Sequence, residues 1–269
     1  MPSRARRGLF VVSVVVIVAV AGALGLRALW NAATSSDLFS GCTIGSHSLS
    51  TEQAAIASTM VGVATKRNLP ERASVLALAA ALQESKLQNL PSGDRDSVGV
   101  LQQRPSQGWG TAAQLNDVHY ATGAFLDALV KLPGWQEQPL AEAVQAVQVS
   151  ADGSAYAKHE SEAQALADAL TGATPAGISC SFAKPTVAAT TAKVAAQVTR
   201  DLPVHTPVTT TRTVTVPGAH WQTAAWFVAN ADRLGIESVA YNGKTWTRGG
   251  GWKTSHAPAS AVVATMYQP

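Results

Sequence analysis

The sequence predicts a mainly α fold: a helical domain, then a linker, then a small α+β C-terminal domain. Three observations point there. Apolar residues recur at helical spacing through residues 50–170. A stretch dominated by Ala, Thr, Val and Pro at 182–217 breaks that periodicity. Beyond it, one helical pattern gives way to short extended segments on either side of Asn242-Gly243. At 269 residues the chain has room for two domains and their connections.

Residues 1–30 are expected to form an N-terminal transmembrane anchor. From Gly8 to Leu26 there is no charge, and 19 residues come close to the roughly 20 a helix needs to cross a bilayer. Arg4, Arg6 and Arg7 precede the run, so the positive-inside bias keeps them in the cytoplasm and sends everything after Arg27 out. A cleaved signal peptide is the alternative; the run is long for one, and Arg27 to Ala33 offers a poor cleavage site. Both readings place the folded part outside the cytoplasm, and the anchor makes the chain a single-pass membrane protein.

Residues 31–48 are small and polar and are expected to be a spacer. The helical domain is expected at 49–181. Ser50-Thr-Glu-Gln53 fits a capping box and opens a helix to about Arg67. Pro70 restarts the chain for a second helix from Glu71 to about Leu87, rich in Ala and Leu. Asn89 to Gly110 is loop. Further helices are expected at about 119–131, 139–149 and 154–170, the last ended by Gly172. Residues 182–217 are the linker and 218–269 the small α+β domain. In that domain Trp221–Leu234 is helical and Ile236–Tyr241 a strand. Asn242-Gly243 is a type I′ turn, Lys244–Arg248 the returning strand and Ala259–Tyr267 a last strand.

The net charge of +3 misleads until it is divided, because residues 1–30 hold four Arg and no acid. Residues 31–181 hold 8 basic and 14 acidic side chains, a net −6; residues 182–269 hold 8 and 3, a net +5. The basic balance gives no ground for nucleic-acid binding. The two cysteines, Cys42 and Cys180, bracket the helical domain, and outside the cytoplasm an even count favours a disulfide. The six His do not group, so no metal is expected; without a Gly-rich phosphate loop no cofactor is expected either.

Glu84 stands near the end of the second helix, after turns that carry Ala73, Ala77, Ala80 and Ala81. A carboxylate flanked by small residues can border a cleft; an ordinary surface glutamate is the plain alternative. The residues after it favour the cleft. Glu84-Ser85 is succeeded by a polar loop and then by Gly99-Val100-Leu101-Gln102-Gln103. This resembles the lytic transglycosylase and goose-type lysozyme-like superfamily, in which a helix ends in Glu-Ser and a Gly-Leu-Met-Gln type segment comes after a loop. The stretch from Ala81 to Gly110 also resembles an exported actinobacterial subgroup with that fold. The resemblance covers about residues 50–170 and implies a lysozyme-like helical domain.

It further implies that Glu84 protonates the glycosidic oxygen of a peptidoglycan strand and then takes the proton of the muramic acid 6-hydroxyl, which attacks the anomeric carbon. One carboxylate then suffices, whereas ordinary glycoside hydrolysis uses two. Asp94 and Asp96 could supply a second, but fit turn positions better. Ser85, Gln102 and Gln103 are candidate substrate-binding residues. The family's Ala-Tyr-Asn-Ala-Gly segment is missing: Ala146-Val-Gln-Val-Ser-Ala151 stands in its place, so that Gln148 replaces the tyrosine and Ser150 lies close by. Tyr156 is placed to reach the same pocket. Trp109 is a candidate for sugar stacking, while Trp135 fits a core position better. Trp252, after three glycines, is expected on a mobile loop as a wall-binding candidate, with the basic C-terminal domain holding the wall through a flexible linker.

The expected function is a membrane-anchored, extracytoplasmic enzyme that cleaves peptidoglycan glycan strands. The alternative is a non-catalytic or weakly active peptidoglycan-binding module of a cell-envelope, secretion or conjugation assembly.

Overall fold

The computed structural model describes residues 40–149, 154–183, 185 and 188–268. The anchor expected at residues 1–30, residues 31–39 of the expected spacer, and Ser150 lie outside them. Among the described residues no helix is long and apolar enough to cross a membrane.

The helices arise from local signals. Ser50 accepts from Gln53 N while the Gln53 side chain accepts from Ser50 N at 2.7 Å, and this capping box opens α1, Thr51–Lys66. Pro70 precedes α2, Glu71–Ser85, which ends where Lys86 and Leu87 both turn left-handed. Every residue of α2 from Ala73 to Leu82 is buried, so the helix is apolar all round and enclosed by neighbours. Its alanines let α1 and the later helices approach closely, while Val75, Leu76 and Leu78 each contribute about 1.5–3 kcal/mol by burial. The short α3, Ala112–Leu115, leads into α4, Val118–Leu129, and then α5, Leu140–Gln148. The single helix expected over 154–170 is two: α6, Ser154–Ala157, and α7, Glu160–Thr171. The chain turns between them where His159 N donates to Tyr156 O. Gly172, at φ 86°, ends α7 as expected.

The fold class departs from expectation. The described residues are mixed α+β, with 45% helix and 19% strand, and form two antiparallel sheets. The first has three strands in the order β2-β1-β3: β1 is Gly41–Ile44, β2 His47–Leu49 and β3 Ile178–Ser181. Cys42 lies opposite Cys180 in this sheet, and the two form the disulfide. Residues 41–48, expected as spacer, are therefore structured. These strands are three or four residues long, too short to leave a periodic signal.

The stretch expected as linker is also structured. It holds α8, Thr191–Asp201, capped by Thr190, then β4, Val208–Thr209, and β5, Thr213–Pro217. Only Val194 and Val198 give α8 an apolar stripe, and the many Thr and Ala residues hide it. α9, Trp221–Ala229, and α10, Ala231–Leu234, come after it. Then come β6, Ile236–Tyr241; β7, Lys244–Thr247; β8, Gly251–Thr254; and β9, Ala261–Met266. Asn242 and Gly243 have φ of 44° and 74°, positive at both positions as a type I′ turn requires. The sheet order is β4-β5-β9-β6-β7-β8, all antiparallel.

The C-terminal elements do not hang from the helical ones. Every residue of α9 from Thr223 to Ala229 is buried, with α1, α7 and β3 packed on it as well as β6. Asp201, itself buried, accepts from Trp226 Nε1 at 2.8 Å and pairs with His119 Nε2 at 2.7 Å. Asn230 Nδ2 donates to Ser58 Oγ at 3.1 Å, and Trp246 Nε1 to Cys180 O at 3.1 Å. Ser40–Pro269 form one compact unit.

Candidate active site

The end of α2 positions the site. Glu84 is half-buried there, and Ser85 is buried beneath it. Ser85 Oγ donates to Val100 O at 2.6 Å, which ties the helix end to the Gly99–Gln103 segment. Ser85 is thus part of the support under the cleft and does not line it.

The loop from Asn89 to Gly110 folds over this point. Gly99 is required by contact as well as by its φ of 80°: a Cβ would lie 2.1 Å from Leu115 O. Gln102 sits at φ 47°, its amide held on both sides. Its Nε2 donates to Gly99 O at 2.9 Å, and its Oε1 accepts from Ser97 Oγ at 3.0 Å. Gln103 is buried and donates to Ala121 O at 3.3 Å, and its own Oε1 has no hydrogen-bond partner. Asp96 binds Arg104 Nε at 2.8 Å and the Ser106 backbone N–H at 2.7 Å. The Arg104 hydrogen bond, with Ser106 behind it, pulls the Asp96 carboxyl down from 3.8 to about 2. Asp96 is a clamp within the loop, and Asp94, with its side chain 93% exposed, is the second carboxylate on the cleft wall.

The cleft so formed has a volume of about 590 Å³, within the ordinary range for ligand sites. Glu84, Gln102, Gln103, Trp109 and Gln148 all border it. Gln148 Nε2 donates to Leu101 O at 3.0 Å, so this residue braces the loop opposite Glu84. Tyr156 is almost wholly buried, and its hydroxyl donates to Glu84 Oε1 at 2.6 Å. The turn after its helix, α6, is pinned to α2 one residue before Glu84, where His159 Nε2 meets Gln83 Oε1 at 3.1 Å. Burial, with the charge of Lys158 nearby, lowers the His159 pKa, and its Nε2 lies within hydrogen-bond reach of the Gln83 oxygen.

Three residues of this arrangement carried no signal in the sequence. Gln83 and His159 are ordinary polar residues until the fold brings them together. Val149 is the third. It caps α5 at φ 51° and ψ 40°, where glycine or asparagine is usual. A left-handed conformation costs a β-branched residue about 1–2 kcal/mol. Val149 is also 81% exposed and borders the cleft.

Trp252 is not part of the site, nor on a mobile loop. It lies in β8, donates from Nε1 to Ile178 O at 2.7 Å, and packs edge-to-face on Trp221. Trp135 is buried in the core. A second cavity, of about 600 Å³, opens by α1, α4 and the end of α8. Asp117 there pairs with Arg200 at 2.9 Å and His119 with Asp201 at 2.7 Å, while Glu52 of α1 also borders the cavity. Among the described residues no group of His, Cys, Asp and Glu could hold a metal ion.

No protein-family model matches the chain, and no curated protein matches it.

Proposed function

We propose that this chain acts on peptidoglycan glycan strands outside the cytoplasm, with Glu84 as general acid and then base, in the manner of a lytic transglycosylase. The observation that carries the proposal is the Tyr156 hydroxyl on Glu84 Oε1 at the edge of a polar cleft. A hydrogen bond to one carboxyl oxygen fixes the rotamer of the carboxyl group and leaves Oε2 to hold and deliver a proton. Protonation of the glycosidic oxygen breaks its bond to the anomeric carbon. The sugar's own 6-hydroxyl oxygen bonds to that carbon, and its proton passes to the Glu84 carboxylate. Atoms balance without water, and the product carries a 1,6-anhydro end. Tyr156 supplies the hydroxyl that Gln148 cannot, while Gln148 holds the loop in place.

The extracytoplasmic setting is supported by the Cys42–Cys180 disulfide, which belongs to oxidising compartments, and by the arginine-flanked apolar run Gly8–Leu26. A second reading, a glycan-binding module without activity, is favoured by Gln148 standing where the resembled family has its tyrosine. Digestion of purified peptidoglycan with the full chain, read by mass spectrometry, tests both. Release of 1,6-anhydro products supports the enzyme. Binding to the glycan with no release supports the module, and the absence of both binding and release sinks the proposal.

A further inference from the structure

Val149 stands out in a cleft whose other lining is almost wholly polar. Among the described lining residues only Trp109 and Val149 are apolar. Folding gains little from Val149: the side chain is 81% exposed, and its backbone is held in a conformation that a β-branched residue resists. The position is nevertheless fixed by the bond from Val149 N to Gln145 O at 2.8 Å, while the neighbouring Gln148 is tied to Leu101 O. Strain of this kind, at an exposed residue on a cleft, points from the observation to a role in contacting a ligand.

We propose that Val149 is a specificity-determining residue that takes the acetamido methyl of an N-acetylated glycan. The inference rests on the glycan reading of the cleft. The chemistry of the lining narrows the ligand. A glycan offers polar hydroxyls, flat C–H faces and, when N-acetylated, isolated methyl groups. The hydroxyls and amide dipoles suit Gln102, Arg95 and Gln148; the C–H face suits an indole such as Trp109. The two methyls of Val149 offer no hydrogen bond and too little surface for a sugar face. They match another methyl, whose removal from water is favourable in proportion to the small area covered.

The test uses the full chain and two forms of one ligand: a peptidoglycan-derived tetrasaccharide and the same compound after chemical de-N-acetylation. Val149→Gly and Val149→Asn both accept the left-handed conformation, so each should fold, with a thermal midpoint equal to the parent or up to about 4 °C higher. Both should nonetheless bind the acetylated ligand about 3- to 10-fold more weakly than the parent. On the de-N-acetylated ligand, parent and variants should converge, because the methyl that distinguishes them is gone. Unchanged affinity of both variants for the acetylated ligand overturns the inference while leaving the glycan reading intact. A difference that persists on the de-N-acetylated ligand also overturns it, since the contact would then lie elsewhere. If the parent binds neither ligand, the glycan reading fails, and this inference with it.

Discussion

The Tyr156 hydroxyl and the Glu84 carboxylate, 72 positions apart in the chain, meet at 2.6 Å at the edge of the cleft. The oxygen of Tyr156 can be removed with almost no change in volume. Tyr156→Phe should lower glycan cleavage about 10- to 100-fold by freeing the Glu84 rotamer. Its thermal midpoint should stay within a few degrees of the parent. A variant with full activity would show that the hydroxyl does not position the carboxylate.

Glu84→Gln keeps the shape of the side chain and can still accept from Tyr156, but it cannot deliver a proton. Release of 1,6-anhydro products should fall at least about 100-fold. Measured alongside Tyr156→Phe, it separates loss of the acid from loss of its alignment. A near-normal rate would remove Glu84 from the role of acid.

Asp96 links pH to the loop. Its folded pKa of about 2 lies below the ordinary 3.8, so its contribution is fully present above about pH 4 and is lost as pH falls through 2. The parent should therefore lose stability between about pH 4 and 2 more steeply than Asp96→Asn, which has no carboxyl to protonate. Denaturation midpoints of the two proteins across that range check this; parallel profiles would show that the Arg104 and Ser106 contacts do not bear on stability.

Trp252 holds a joint between β8 and β3. Trp252→Ala removes an indole hydrogen bond and an edge-to-face contact, and should destabilise the protein by about 2–4 kcal/mol, lowering the denaturation midpoint. Binding to wall material below the new midpoint should hardly change. A variant of parental stability with weakened wall binding would restore Trp252 as a contact.

The contrast between Ser50 and Trp252 shows what could be read in advance. The capping box at Ser50, the alanine-rich α2 and the Asn242-Gly243 turn are specified by residues within a few positions of one another. Each survived the passage to three dimensions. β3 pairs with β1 from more than a hundred positions away, and the β1–β2 and β7–β8 hairpins are too short to leave a periodic signal. β5 does alternate, through Val214 and Val216, but its intervening Thr residues resemble a linker by composition. That confusion produced both the mainly α expectation and the flexible tail. The site divides in the same way. Glu84 and its neighbourhood were marked by motifs, and Tyr156 by its place just beyond the replaced segment. Ser85 and Gln103 are buried because burial depends on tertiary packing, which spacing does not encode.

The Cys42–Cys180 bond also has a mechanical side. Pull on the chain from before Gly41 and from beyond Ser181, and the load enters β1 and passes directly across the bond into β3. Residues 43–179, with Glu84, Tyr156 and the cleft, sit in a closed loop off the line of force. Under tension the covalent path runs through the bond, and the backbone around the cleft is not part of that path.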